Sequence, residues 1–322
     1  MRKKIIYMTV SLILLAFLLL APVQAAAASS EGLLLWFHTL LPMLLPFFIL
    51  SRLLIALDGV SGVTRLLAPL ARSFFGLSPN GSFCLLTGFL CGYPVGAKIS
   101  ADLVRENRIT PEEGAYLLTF TNNPSPAFLT GYCLTEALRL PERIPVSLLL
   151  VYGAPLLYAA LTRHGQTFPD LSIEKKTSGS QISFKIVDAC IMDGLENILK
   201  LGGYLILFSM LAKLLLLLIG SLPLCSCLTV GLLEITNGIA LTAASPILTR
   251  RAAWALSLFI VSFGGLSGAA QTESMLQGTR LSVSDYLKAK AGTALLTACF
   301  AILYLGLTDL PLALPLPAVL LR

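Results

Sequence analysis

Long apolar segments separated by short polar stretches run along the whole chain. Four of them occupy residues 5–21, 33–57, 144–161 and 198–220. Each approaches or exceeds the ~20 residues that a helix needs to cross about 30 Å of hydrocarbon. They are continuous Leu, Ile and Ala runs, whereas a membrane β-barrel would show alternating polarity. The pattern predicts an all-α polytopic membrane protein with roughly eight crossings.

Polar and proline-rich stretches divide the chain into two membrane halves. The predicted divisions are a signal-like or first transmembrane segment at 1–32, a first membrane repeat at 33–162, a polar linker at 163–185, a second membrane repeat at 186–310 and a Pro-rich tail at 311–322. The positive-inside rule places the linker in the cytoplasm. The less apolar segment at 60–75 carries two arginines and is predicted to lie at the membrane interface.

The amino terminus has two interpretations. Arg2, Lys3 and Lys4 precede an apolar stretch that ends in small residues at 21–27, which fits a signal peptide with its cleavage site. The same residues fit an uncleaved first span. Both interpretations place the first residues in the cytoplasm.

An internal repeat relates the two halves. Aligning Gly96 with Gly268 pairs Thr110 with Ser282 without a gap. Both copies contain a Gly-interrupted apolar segment, a polar turn, and a Thr or Ser cap with an acid three residues on. Paired, interrupted segments of this kind point to the binding site of a secondary transporter, because a broken helix frees backbone groups that must line a cavity or meet a ligand. We expect two re-entrant or broken hairpins that meet near the midplane, in an inverted repeat.

Composition supports the membrane class and narrows the function. The chain is 56% apolar and 12% charged, against roughly 25% charged residues in soluble domains. The net charge is +6, but the sequence contains no basic stripe with interleaved aromatic residues, so we expect no nucleic acid partner. With two histidines, and neither an HExxH nor a GxSxG motif, the sequence predicts no enzyme, no metal site and no cofactor.

Polar residues inside the apolar segments fall into four clusters, at 92–98, 121–126, 234–238 and 268–273. Ionised Lys98, Glu234 and Glu273 would each cost roughly 2.5 to 3.5 kcal/mol at a lipid-facing helix centre, so they should face the interior or water. The two glutamates could instead cap helices or pair with each other. The stem of Lys98 could carry its charge to the interface.

These clusters supply the candidate site. The predicted substrate-binding residues are Lys98, Asn122, Asn123, Ser125, Glu234, Thr236, Asn237, Gln271, Thr272 and Glu273. The residues predicted to turn or unwind helices are Gly92, Pro94, Gly96, Pro124, Pro126 and Gly268. The two prolines after the asparagines mark an unwound helix, since proline cannot donate and disfavours helix in the preceding residue. The asparagines either contact a ligand or satisfy freed carbonyls.

Four stretches carry a resemblance to a known family. GFLCGYPVGAK, RITPEEGAYLLTFTNNPSP, LLEITNG and GAAQTES together resemble the nucleoside-recognition Gate domain of sporulation integral membrane proteins of the YlbJ (SpoVV) type. The resemblance covers about residues 36–307. It implies passage of dipicolinate, a small aromatic dicarboxylate, from the mother cell toward the forespore. It also implies residence in the mother-cell-derived outer forespore membrane, as a multi-pass protein of a bacterial cytoplasmic membrane.

GAAQTES is also similar to the Gln-Thr-Glu hairpin tip of concentrative nucleoside transporters, whose side chains hydrogen-bond the nucleobase. Carried over, the motif falls on Gln271, Thr272 and Glu273. Here it lies in the second repeat rather than the first. A nucleoside-type transporter is therefore an alternative to dipicolinate passage.

The sequence predicts a secondary membrane transporter of a small polar or anionic molecule. Its expected partners are that substrate, the lipid bilayer and a coupling ion, either a proton or sodium. A protonated glutamate in a low-dielectric site would suit proton coupling. The strongest rival is a non-transporting assembly protein of the spore envelope, whose polar residues only hold helices together.

Overall fold

Helices make up every regular element in the part of the chain that the structure, a computed structural model, describes: residues 2–57, 60–65, 67–163, 165–171, 184–220 and 222–309. This confirms the predicted all-α class. Most of the predicted linker at 163–185 and the whole of the predicted tail at 311–322 lie outside the described residues.

The first half contains nine α-helices. In order they are α1 (Arg2–Leu20), α2 (Pro22–Leu35), a π-helical turn (Trp36–Leu40), α3 (Leu41–Ala56), α4 (Val60–Thr64), α5 (Ala68–Phe75), α6 (Pro79–Cys91), α7 (Val95–Arg105), α8 (Pro111–Leu118), a π-helical segment (Phe128–Ala137), a 3-10 turn (Pro141–Arg143) and α9 (Ile144–Thr162). Ser78 and Thr110 cap α6 and α8 through their hydroxyls. The Glu113 side chain does not complete a capping box by bonding back to the backbone N–H of Thr110, because it accepts from the backbone N–H of Ser78 instead.

The second half is built around one long helix. The elements are α10 (Phe184–Ile219), α11 (Pro223–Leu233), α12 (Ile235–Ala244), α13 (Arg250–Phe263), α14 (Gly265–Met275) and α15 (Val283–Asp309). Helix α10 packs against α2 and α3, and the Trp36 indole donates to the Ile198 carbonyl oxygen at 2.8 Å. Helix α13 packs against α15 and α9, where the Trp254 indole donates to Ser147 at 2.9 Å.

Four helical stretches are long and apolar enough to cross a membrane: Pro141–Thr162, Phe184–Ile219, Arg250–Met275 and Val283–Thr308. The number rises to 6 if each of two bent helix pairs forms one span. The chain is therefore an integral membrane protein with four to six candidate spans in its described part, against the roughly eight crossings predicted from the sequence. The difference comes from segments that are apolar but divided.

Two apolar segments are divided in this way. Residues 227–244 belong to α11 and α12, two short helices that pack against each other on either side of Glu234. Residues 114–138 contain a non-helical stretch between α8 and the π-helical segment. The segment at 60–75 forms the short helices α4 and α5, too short to span.

The amino-terminal helices meet at a sharp bend. The stretches Met8–Leu20 and Pro22–His38 are inclined at 116° to each other. Ala25 and Ala28, in and beside the small-residue stretch expected at a cleavage site, lie inside α2 and are fully buried, and α2 packs against α10. In this structure the stretch is part of the packed helical body.

The two copies of the sequence repeat share their break points but not their shape. Gly92 and Gly264, equivalent in the gap-free alignment, both adopt left-handed φ angles, of +86° and +84°. Ser282 accepts from the Asp285 backbone N–H as its counterpart Thr110 does from Glu113. Yet α6 and α7 pack against each other as a hairpin, whereas α13 and α14 continue as one 26-residue stretch. The inverted orientation of the repeats stays a prediction.

We predict that Gly238→Ala lowers the thermal stability of the protein in detergent. A Cβ at Gly238 on α12 would lie 2.1 Å from the Gly231 Cα on α11, so the two helices would have to separate. Gly203 on α10 has nothing within 4 Å of an added Cβ. Gly203→Ala is the matched control, and it should keep or raise the unfolding temperature because alanine favours a helix interior by about 1 kcal/mol. Equal behaviour of the two variants would contradict the close approach.

Candidate functional site

The first break joins α6 to α7 through Gly92, Tyr93 and Pro94. A Cβ at Gly92 would lie 2.5 Å from the Ser125 backbone nitrogen, and one at Gly96 would lie 2.5 Å from the Thr121 carbonyl oxygen. No side chain fits at either position. The glycines therefore allow the α6–α7 hairpin to lie directly against the unwound stretch 121–126.

That unwound stretch is held by side chains. The Asn123 amide donates to the Phe120 carbonyl oxygen at 2.6 Å, and the Tyr152 hydroxyl donates to the Pro124 carbonyl oxygen at 2.8 Å. These bonds satisfy backbone groups that the missing helical turn leaves free. Asn123 thus has the carbonyl-satisfying role that the sequence left open for both asparagines.

The Asn122 amide makes a different contact. It donates to the Thr272 hydroxyl at 2.9 Å, which ties the unwound stretch of the first half to α14 of the second half. Both residues are buried. The predicted site residues from opposite halves therefore meet in the interior of the fold.

The third break lies at Glu234, between α11 and α12. Its carboxylate accepts from the backbone N–H groups of Thr236 and Asn237, at 3.1 and 2.9 Å, and from the side chains of the same two residues. Four donors and the helix N-terminus stabilise a negative charge at this buried position. Glu234 caps α12, and it also lines the cavity described next.

The fourth break is Gly264, between α13 and α14. A Cβ at this position would lie 2.7 Å from the ring of Tyr93, so the tyrosine of the first break packs on the backbone of the fourth. The Tyr93 hydroxyl donates to the carbonyl oxygens of Val261 and Ser262 at 3.3 and 3.4 Å. The two halves are therefore in direct contact at their equivalent glycines.

All four breaks open onto one cavity of about 660 Å³, counting the part open to its surroundings. Leucines of the α2–α3 region and of α10 line one side. The polar side chains in its wall are Tyr93, Ser125, Glu234, Thr236, Ser267 and Gln271. A mostly apolar cavity with a few converging polar groups is the usual form of a small-molecule site.

The predicted site residues divide between this cavity and its surroundings. The ones that line it are Gly92, Pro124, Ser125, Glu234, Thr236, Gly268 and Gln271. Asn122, Asn123 and Thr272 are buried beside it, and Asn237 bonds to Glu234. Glu273 is exposed on α14 and does not line the cavity. The GAAQTES stretch lies inside α14 rather than at a hairpin tip.

Lys98 also lies away from the central cavity. Its ammonium pairs with Asp102 on its own helix at 2.8 Å and with Asp193 on α10 at 2.7 Å, in a separate charged pocket. Arg105 pairs with Asp102 at 2.7 Å and donates to the Gln277 carbonyl oxygen. Lys98 is buried, and its charge is compensated by carboxylates rather than carried to the interface. Its partner is neither Glu234 nor Glu273.

The cavity and the charged pocket share three helices. Helices α3, α10 and α14 each line the cavity with one stretch of residues and the pocket with another. The ion pairs of Lys98 therefore lie in a pocket bordered by three of the helices that border the cavity.

Sequence reasoning missed Tyr93 and Lys290. Tyr93 lies inside the GYPVGAK stretch, whose glycines and proline are interpreted as residues that turn or unwind a helix, and no role is predicted for the tyrosine side chain. Lys290 lies near the start of the apolar helix α15, where a lysine side chain ordinarily extends to the membrane–water interface. In the structure Lys290 is buried, and its ammonium lies 5.1 Å from the centre of the Tyr93 ring.

Comparisons with known proteins identify relatives for much of the chain. The Gate family, described as nucleoside recognition, matches residues 37–136. The sporulation integral membrane protein YlbJ of Bacillus subtilis (strain 168) is 30% identical over 336 aligned positions, covering 91% of this chain and 80% of that protein. No solved structure matches the chain. The matched Gate region contains the first two breaks, and the YlbJ match extends over most of the chain.

We predict that Lys98 and Asp193 are energetically coupled. A double-mutant cycle with Lys98→Met and Asp193→Asn should give a coupling free energy on the order of 1–3 kcal/mol, because the Lys98 side chain is 3% exposed. The control pair, Lys200 and Glu196, is largely exposed and should give about 0.5 kcal/mol or less. Unfolding in mixed micelles measures both. Equal couplings would show that burial of Lys98 adds nothing to the bridge, whose other partner, Asp193, has a side chain that is 37% exposed.

Proposed function

The chain belongs to the family of the sporulation integral membrane protein YlbJ, and on this basis we propose that it is a secondary transporter of a small polar or anionic molecule. The observation that carries the proposal is the convergence of four helix breaks, from both halves of the chain, on one cavity. Broken helices around a central cavity are the form in which transporters bind substrates.

We further propose that the substrate is dipicolinate and that the protein acts in the outer forespore membrane during sporulation. Two lines support this: the relative is named as a sporulation integral membrane protein, and the cavity combines apolar walls with a few polar groups. Apolar leucine and tyrosine surfaces suit an aromatic ring. The Ser125 hydroxyl and the second N–H of the Gln271 amide offer donors to its carboxylates.

Glu234 would repel an anion in the same cavity. Its four donors come from α12 itself, so the positive end of that helix offsets part of the charge. Proton coupling through this carboxyl remains part of the proposal. Uptake that is independent of pH and unchanged in Glu234→Gln would exclude it.

A nucleoside is the second candidate substrate, because the matched family is described as nucleoside recognition. The Gln-Thr-Glu motif supports it only in part. Gln271 lines the cavity, but its amide donates to Ser267 at 3.1 Å, and Thr272 accepts from Asn122. Glu273 is exposed. These contacts favour the smaller anion over a nucleobase held by all three side chains.

We predict that Gln271→Leu abolishes most dipicolinate uptake into proteoliposomes. Leucine fills a similar space but removes the amide from the cavity wall. Gln277, past the end of α14, is exposed, and Gln277→Leu is the matched control that should transport like the wild type. Radiolabelled dipicolinate and uridine are measured in parallel.

The outcomes separate the candidate functions. The proposal is supported if the wild type and Gln277→Leu take up dipicolinate and Gln271→Leu does not. Uptake of uridine alone overturns the substrate and favours a nucleoside transporter. If folded wild-type protein moves neither molecule, the assembly role replaces transport.

A further inference from the structure

Lys290 is a buried lysine with no carboxylate partner among the residues that the structure describes. Its side chain lies on α15 in a residue that is 2% exposed. Its ammonium donates only to neutral oxygens, the Asn122 carbonyl at 3.2 Å and the Asn123 side chain at 3.3 Å. Among the described residues, no carboxylate lies within salt-bridge distance of it. This contrasts with Lys98, which has two carboxylates at close range.

An isolated ammonium in the interior is unfavourable unless an anion accompanies it. Both of its hydrogen bonds are long for a charged donor, whose usual distance is about 2.7–2.9 Å. Lys290 is therefore neither neutralised nor tightly bound where it lies. A position of this kind in a membrane protein points to a ligand with the opposite charge.

A second donor lies on the same helix face. Tyr286 precedes Lys290 by four residues on α15, so the two side chains project from the same side. Tyr286 is 1% exposed, and its hydroxyl faces Thr272 and Asn122 without a well-formed hydrogen bond to either. A buried hydroxyl without a partner costs free energy unless something accepts from it. Lys290 and Tyr286 thus present an unused charge and an unused donor side by side.

This pair lies just behind the cavity wall. The Tyr93 ring lines the cavity and has the Lys290 ammonium 5.1 Å from its centre. Asn123, which accepts from Lys290, directly precedes the cavity-lining Pro124 and Ser125. The two hydrogen bonds of the Tyr93 hydroxyl are long, at 3.3 and 3.4 Å, so they resist rotation of its ring only weakly.

We propose that Lys290 and Tyr286 form the anion-recognition point of the transporter, which takes a carboxylate of the substrate when Tyr93 turns aside. The inference rests on the proposed function in taking a small carboxylate as the cargo. The ammonium supplies the counter-charge, and the Tyr286 hydroxyl donates to the second carboxylate oxygen. The remaining part of the substrate stays in the apolar cavity.

The test measures binding of three probes to the full-length protein in nanodiscs: dipicolinate, picolinate and the neutral diamide of dipicolinate. Wild-type protein should bind dipicolinate about tenfold or more tightly than the diamide, since charged hydrogen bonds are the stronger kind. Lys290→Met should lose this preference, and Lys290→Arg should keep most of it. Tyr286→Phe should reduce it.

Lys288 provides the matched control. It lies two residues away on the same helix, its side chain is 73% exposed, and it pairs with Asp285. Lys288→Met should bind all three probes like the wild type. Equal loss in Lys288→Met and Lys290→Met would overturn the inference, because the effect would then be one of net charge.

Other outcomes are equally decisive. A wild type that does not prefer the carboxylate, or a Lys290→Met variant that keeps the preference, overturns the anion site. If Lys290→Met cannot be purified folded, an unchanged preference in Tyr286→Phe overturns it. The proposed function fails separately: carboxylate binding without uptake into proteoliposomes excludes transport, whereas uptake that persists in Lys290→Met excludes only this site.

Discussion

The need to satisfy backbone polar groups away from water governs this structure. Wherever a helix is broken inside the bundle, N–H and C=O groups lose their helical partners and must find others. Asn123 and Tyr152 supply them at the unwound stretch, Tyr93 supplies them near Gly264, and Glu234 supplies them at the start of α12. Because two of these partners, Tyr152 and Tyr93, come from other segments, the breaks that they stabilise lie close to those segments. The shared cavity follows from this requirement.

The same side chains therefore hold the fold and form the site. Glu234 is at once the cap of α12 and part of the cavity wall, so the capping and binding roles that the sequence set against each other coexist. Fully paired charges are kept apart from this region. Lys98, Asp102 and Asp193 form their bridge in the separate charged pocket, and they join the α6–α7 hairpin to α10.

Sequence reasoning succeeded where one residue type dictates a local conformation. Pro124 cannot continue a helix, and the stretch before it is unwound as predicted. The reasoning fell short where the outcome depends on a distant partner. Nothing local to Lys98 reveals that Asp193, on another helix, will accept its charge. Nothing local to Lys290 reveals that no carboxylate of the described residues will pair with it. The count of roughly eight crossings is not confirmed for a related reason, since apolar composition does not tell a crossing from the packed pair α11 and α12.

The contrast between the two copies of the repeat shows what a glycine at a break can and cannot do. Gly92 and Gly264 have nearly the same left-handed φ, yet α6 folds back on α7 while α14 continues α13. The residues that follow differ. Pro94 has no N–H and disfavours helix in Tyr93, whereas its counterpart in the alignment, Leu266, allows the helix to resume at once. The first copy thereby projects Tyr93 across to Gly264, where the second copy has only a glycine. The asymmetry of the cavity wall therefore originates in these two positions. Lys290 lies behind the Tyr93 ring, and the position equivalent to Tyr93 in the second copy, Gly265, has no side chain.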